Sequence, residues 1–351
     1  MEAFRKIDDI VEKSIDRYNV IKTVIESVDL SDLGLSVYYP KFTRVKGVYC
    51  AIDGSKNVQN LGDVYLIVAK AVKVIGEVTL GKKVINKDPV FAVEIEDDYM
   101  GEDTVSNDSI RLMIYLESQL LGTCDECDYV LLDGPIVDPP IIEEKGGKQS
   151  IPSLKELASM RSQHVVSLLE KGKTVLGIAK RFSERFLVSL LKERGYLKDT
   201  DYREKMVVDS LLSRFVGEGI TGIGVIEWDK VSREVSELDK LMSAYEAYKE
   251  HSGGKLKIAS VYVKASKIGV PSRVDIAYIN NYDLEKVLSL IATWEVKDRA
   301  ELNLLTVMAD ALSTINNQEV KQFREYYTIK TVEKLKDKDY ILSNFVLRKK
   351  I

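Results

Sequence analysis

Between residues 45 and 96 the chain alternates apolar runs with short polar breaks. VKGVYCAIDGS starts at Val45, DVYLIVAKAVKVIG covers 63–76 and VFAVEIE covers 90–96. Gly81-Lys82-Lys83 sits in a turn between the last two. Three consecutive strands with short connections predict an antiparallel meander. An amphipathic helix is expected next, over 108–121, with Gly122 as its stop. CDYVLLDG (127–134) then reads as another buried strand, broken off by Pro135, Pro139 and Pro140 and followed by a polar loop at 143–150.

The remainder alternates. Helices are expected over 152–171, 183–194, 230–251, 283–296 and 300–316. Strands are expected at 173–180, 219–228, KIASVYVKAS and SRVDIAYI. There is no internal repeat and no linker that forces a split, so the reading is one α/β domain over 40–351. Residues 1–35 form an N-terminal helical arm. In it Ile7, Val11, Ser14, Tyr18, Ile21, Ile25 and Val28 follow a heptad-like seam. Such a seam serves a dimer or partner contact, or simply lies on its own domain.

Composition narrows the function classes. With 45% hydrophobic residues in 351, the chain has the apolar mass for a core. No apolar run approaches the roughly 20 residues that span a bilayer, and the charged start MEAFRKIDDIVEKSIDRY does not read as a secretory signal. Three cysteines do not make a disulfide scaffold and fit a reducing cytoplasm. The abundance of Lys, Glu, Ile and Val fits a thermophile. A net charge of −4 excludes a basic nucleic-acid coat. It leaves room for an enzyme with local basic groups and acids at a metal.

Three acids stand out. Asp53 and Asp133 each close an apolar strand, VYCAIDG and YVLLDG, and each precedes glycine. A carboxylate there points into the crevice at the sheet edge; the ordinary alternative is an Asp-Gly turn. Glu117 falls near the centre of the apolar face of its helix, with Arg111, Tyr115, Ser118 and Gln119 on the polar face. A buried carboxylate needs a metal or a Lys or Arg partner. Together the three suit Mg²⁺ or Mn²⁺, and hence phosphodiester cleavage. Three antiparallel strands, a helix and an acid-bearing strand form a ribonuclease H-like layout: a mixed sheet core with flanking helices.

The segments VYCAIDGS, LMIYLESQLL and YVLLDGPIVD resemble the NurA nuclease family, with weaker similarity at VLGIAKRF (175–182) and SRVDIAYI (272–279). The resemblance implies a ribonuclease H-like fold, with Asp53, Glu117 and Asp133 as metal-binding acids. It further implies Mn²⁺ dependence, a homodimer and partnership with a HerA-type hexameric ATPase that translocates DNA. The implied activity is 5′ to 3′ exonuclease on single- and double-stranded DNA and endonuclease on single strands, in double-strand-break end resection for recombination. One family feature is missing. RAELNLLTVMADALSTI (299–315) lacks the Tyr and His of the C-terminal family motif, and alignment puts either Met308 or Asp310 at the histidine position. Asp310 is then a fourth oxygen ligand or an ordinary solvent-facing aspartate.

Basic candidates for nucleic acid are Lys180 and Arg181, at the end of the TVLGIA strand, and Arg273, which shares a strand face with Asp275. The bland readings are a solvated strand end and a cross-strand ion pair. Cys124, Cys127 and distant Cys50 do not complete a zinc site. There is no nucleophile elbow and no P-loop. Two other readings stay open: a catalytically weakened DNA-end clamp or regulatory subunit, and another ribonuclease H-like nuclease.

Overall fold

The computed structural model describes residues 2–40, 44–61, 64–80, 82–86, 88–98, 101–137, 148–182, 184–198, 201–217, 219–231, 236–295 and 302–334. The elements in order are α1 (Glu2–Ser27), β1 (Ser36–Tyr38), β2 (Gly47–Asn60), β3 (Tyr65–Val78), β4 (Lys83–Ile85), β5 (Val90–Asp98), α2 (Glu102–Leu121), β6 (Tyr129–Leu132), α3 (Leu154–Glu170) and β7 (Thr174–Ala179). They continue with α4 (Phe186–Glu193), α5 (Glu204–Ser213), β8 (Thr221–Glu227), α6 (Ser236–His251), β9 (Lys257–Lys264), β10 (Ser272–Tyr278), α7 (Leu284–Thr293), α8 (Leu304–Ser313) and α9 (Asn317–Lys334). Gly81, Pro139, Pro140, the loop residues 143–147 and the basic tail from 335 lie outside the described residues.

One mixed sheet runs β1-β8-β9-β10-β7-β6-β2-β3-β4, with β5 also paired to β3. The expected meander is there: β3 is antiparallel to β2 and to β5. β6 returns parallel to β2, and β7 parallel to β6. Alternation splits the core into two layers. Cys50, Ile52, Val130 and Leu132 face a cluster shared with α1 to α6. Tyr49, Ala51, Leu131, Leu176 and Ile178 face a second cluster with α7 and α8.

The strand that carries Asp53 does not stop there. β2 continues to Asn60, paired with β3 throughout, so Asp53 is a mid-strand residue opposite Val72. Gly54 therefore serves not as a turn but as a close-approach point. A Cβ there would lie 2.7 Å from Glu117 Oε1 and 2.9 Å from Met113 Cγ.

α2 begins earlier than expected and is covered on both sides. Arg111 and Ser118, placed on its polar face by the wheel, are buried. Arg111 donates to Asp108 at 2.7 Å and to the carbonyls of Ile151 and Pro152 ahead of α3. α3 itself opens on a capping box between Ser153 and Glu156.

The arm seam divides. Ile21, Ile25 and Val28 are buried, whereas Ile7, Val11 and Tyr18 are exposed on the same stripe. Among the described residues no helix is long and apolar enough to cross a membrane. Cys50 and Cys127, distant in sequence, come together because β2 and β6 are neighbours. They form a disulfide with a Cα–Cα distance of 5.9 Å, leaving Cys124 as a buried free thiol.

Candidate metal centre

Parallel register sets the first two acids side by side. Ile52 pairs with Leu132, and the Asp133 amide donates to the Ile52 carbonyl at 2.8 Å. Asp53 and Asp133 follow the alternation of Ala51 and Leu131, toward the α7–α8 side. There α8 delivers Asp310. One carboxylate oxygen from each of Asp53, Asp133 and Asp310 lies within 4.8 Å of the others.

α8 reaches the sheet because β3 offers no side chain at Gly76. A Cβ on Gly76 would meet Trp294 at 2.8 Å and Leu305 of α8 at 2.9 Å. Buried Leu305 and Ala309 anchor the helix, and Asn303 caps it by accepting from Leu305 N at 3.0 Å. Near its end, Ser313 donates its hydroxyl to Asp53 Oδ2 at 2.6 Å. Ser55 donates in turn to the Ser313 carbonyl. Neither serine carries a sequence signal, since each depends on the docking of α8.

Lys180, just past β7, donates to Asp133 Oδ2 at 2.8 Å. Three carboxylates against one ammonium leave an excess of negative charge. Burial pushes Asp53 up to about 6, with Asp310 adding to the rise and the Ser313 hydrogen bond and Lys180 opposing it. Burial likewise pushes Asp133 up to about 7, opposed by Lys180 and raised further by Asp53 and Asp310. Compact oxygen donors whose charge is under-compensated match the donor chemistry of Mg²⁺ and Mn²⁺.

Glu117 reaches the same stretch of β2 from its other face. It approaches β2 from the α2 side, against Gly54, and so on the opposite strand face from Asp53. It is not among the three acids that converge. Arg161 of α3, almost fully buried, donates to Glu117 Oε2 at 3.2 Å. The buried-arginine partner weighed for Glu117 is therefore present.

Arg273 is a correction. It is fully buried and cannot meet DNA. It donates to Asp275 at 2.7 and 2.9 Å and to Glu184 at 2.7 Å, an in-strand and loop pairing rather than a cross-strand one. The alternation put Arg273 and Asp275 on one face correctly, but that face is covered. Arg181 is exposed. Cys50, Glu126 and Cys127 also lie close together. The disulfide removes both thiolates, and Glu126 pairs with Lys73 at 2.7 Å.

The profile of the NurA domain matches residues 47–335. The chain belongs to the NurA family. Solved NurA structures share its fold at low identity. The NurA nuclease from Sulfolobus solfataricus aligns with a TM-score of 0.60 at 15% identity, covering 95% of this chain and 98% of that one. A second NurA structure gives 0.59 at 14%, covering 96% and 99%. A NurA bound to dAMP and manganese gives 0.55 at 13%, covering 97% and 98%. No curated protein matches the chain.

Proposed function

We propose that this NurA-family chain is a metal-dependent DNA nuclease with its reaction centre at Asp53, Asp133 and Asp310. The observation that carries the reading is the convergence of these three carboxylates beside Lys180. Membership in the family and the fold shared with a manganese- and dAMP-bound NurA support it.

The three aspartates would hold Mn²⁺ or Mg²⁺, which when bound supplies Lewis-acid activation of water and charge neutralisation at the phosphate. The chain's own groups do the rest. Ser313 fixes the orientation of Asp53, and β2–β6 pairing fixes Asp133. Lys180 can exchange Asp133 for a phosphate oxygen of the substrate, a charge-assisted contact. Glu117, pressed on Gly54 and paired with Arg161, borders the same stretch of β2 and remains the candidate for a further metal-binding acid. With Asp310 beside Asp53 and Asp133, the alignment that sets Asp310 at the histidine position is the one this reading adopts, an oxygen donor in place of a nitrogen one.

The finer assignments follow from the family resemblance. They are 5′ to 3′ exonuclease action on single- and double-stranded ends, endonuclease action on single strands, and end resection in the cytoplasm with a HerA-type ATPase. A homodimer fits the exposed half of the α1 seam. The missing Tyr and His favour a second reading, a DNA-end clamp that binds without cutting.

Digestion of end-labelled DNA with Mn²⁺ tests the proposal. Wild type cuts, and Asp53→Asn and Asp133→Asn do not. Wild-type cleavage by both variants contradicts it. Binding by the parent without cleavage at any Mn²⁺ concentration supports the clamp.

A further inference from the structure

We infer that a basic cleft along the sheet edge that ends in Asp133 and Lys180 binds the phosphodiester backbone of the nucleic-acid strand; the inference rests on the nuclease reading above. Lys180, bound to Asp133, is followed directly by Arg181, and Arg181 lines a cleft of about 430 Å³ with Arg185, Arg203 and Lys205. A second cleft of about 470 Å³ shares Arg203 and Lys205 and adds Lys267. The two form one basic path on the α4–α5 side of the sheet, and its first residue, Arg181, follows Lys180 in the chain.

The sheet dictates its course. Ala179 at the end of β7 pairs with Arg273 at the start of β10, and Ser272 pairs with Val263 near the end of β9. The ends of β6, β7, β10 and β9 thus line one sheet edge. Three strand spacings make about 14 Å. A nucleic-acid strand carries one phosphate per roughly 3.4 Å of duplex axis, so that length spans several phosphates. A ligand that reaches from Asp133 into this path must be an extended polyanion rather than a single phosphate.

The acids at the path are already engaged. Glu204, at the floor, is buried and accepts from Leu187 N at 2.7 Å and Val188 N at 3.0 Å and from the Tyr262 hydroxyl. Asp209 pairs with Lys264 at 2.7 Å. Arg181, Arg203, Lys205 and Lys267 are exposed, and among the described residues none of them has an ion-pair partner. Four uncommitted cations over acids already hydrogen-bonded or ion-paired within the protein suit phosphates, whose contacts add up along a strand.

The test is equilibrium binding of a fluorescent single-stranded oligothymidylate to the full chain, in chelator, across a salt series. Arg203→Gln combined with Lys205→Gln is expected to weaken binding and to lower the slope of log K against log salt by about 1.4, at about 0.7 per lost phosphate contact. Arg203→Lys is expected to keep the parental slope. Lys267→Gln, at the far end of the path, is expected to lose about half as much as the double variant. Parental affinity and slope in both the double variant and Lys267→Gln overturn the inference. Because binding is read without metal, it does not depend on cutting. Retained cleavage by the aspartate variants would sink the nuclease centre and leave this result standing on its own.

Discussion

The Ser313 hydroxyl donates to Asp53 Oδ2 at 2.6 Å, joining two residues 260 positions apart. The bond ties α8, and with it Asp310, to the strand that carries Asp53. Removal of an outer partner of a metal ligand typically costs 10–100-fold in metal affinity. Ser313→Ala is therefore expected to weaken Mn²⁺ binding by roughly that factor. Titration calorimetry reads it, and Ser313→Thr is expected to restore most of the affinity. Equal affinity in Ser313→Ala would show that Asp53 is positioned without α8.

Gly54 carries a packing prediction. An alanine there must displace Glu117 and Met113, whose atoms lie 2.7 and 2.9 Å from the added carbon. Overpacking of this kind costs about 1–3 kcal/mol. Denaturant unfolding of Gly54→Ala is expected to show that loss. Unchanged stability would mean that α2 yields freely.

The raised aspartates predict how stability depends on pH. Asp53 is held up to about 6 and Asp133 up to about 7, against an ordinary value of 3.8. From pH 4 to 7 the folded state therefore keeps protons that the unfolded chain has lost. With more protons bound in the folded state, metal-free stability falls as pH rises through this window. Asp53→Asn removes one of the two groups. Its stability relative to the parent should climb between pH 4 and 6, by on the order of 2 kcal/mol. Thermal melts in chelator at several pH values check this, and a pH-independent difference would contradict it. With Mn²⁺ present the parent's gain in Tm should grow over the same window, because the ligands bind as carboxylates.

The arm predicts self-association. Ile7, Val11 and Tyr18 continue a seam whose later members, Ile21 and Ile25, are buried in the domain. Residues 6–15 are all exposed, so on deletion of the arm up to residue 15 the domain is expected to stay folded while its mass by light scattering drops from dimer to monomer. An unchanged dimer would place the contact elsewhere.

Much of this architecture is legible in the sequence because period-2 apolar runs and their connections are local signals. The meander, α2 and the strand at β6 follow from them; that β6 returns parallel to β2 does not. Asp53 and Asp133 stand out because each closes an apolar run before glycine. What depends on docking between distant segments is not legible. The pattern at Gly54 reads as a strand end, yet β2 runs on because β3 pairs with it to Asn60. Glu117 lies on an apolar helix face, but the wheel does not tell which face of β2 it meets. Arg273 alternates correctly with Asp275, yet burial of their face is set by Glu184 and the layers around it. Asp310 is legible only as one of two readings of the family motif, and Ser313 not at all; both join the site through the fit of α8 against Gly76. α5 and α9 are short of sequence signals altogether; α9 has no buried residue to impose a period.

The most direct test of the central claim is the position of manganese in crystals of the protein soaked in Mn²⁺, read from its anomalous scattering. The account predicts a peak within about 2.5 Å of carboxylate oxygens from Asp53, Asp133 and Asp310 together. A peak bound by other residues, or none at these three aspartates under saturating Mn²⁺, would contradict it.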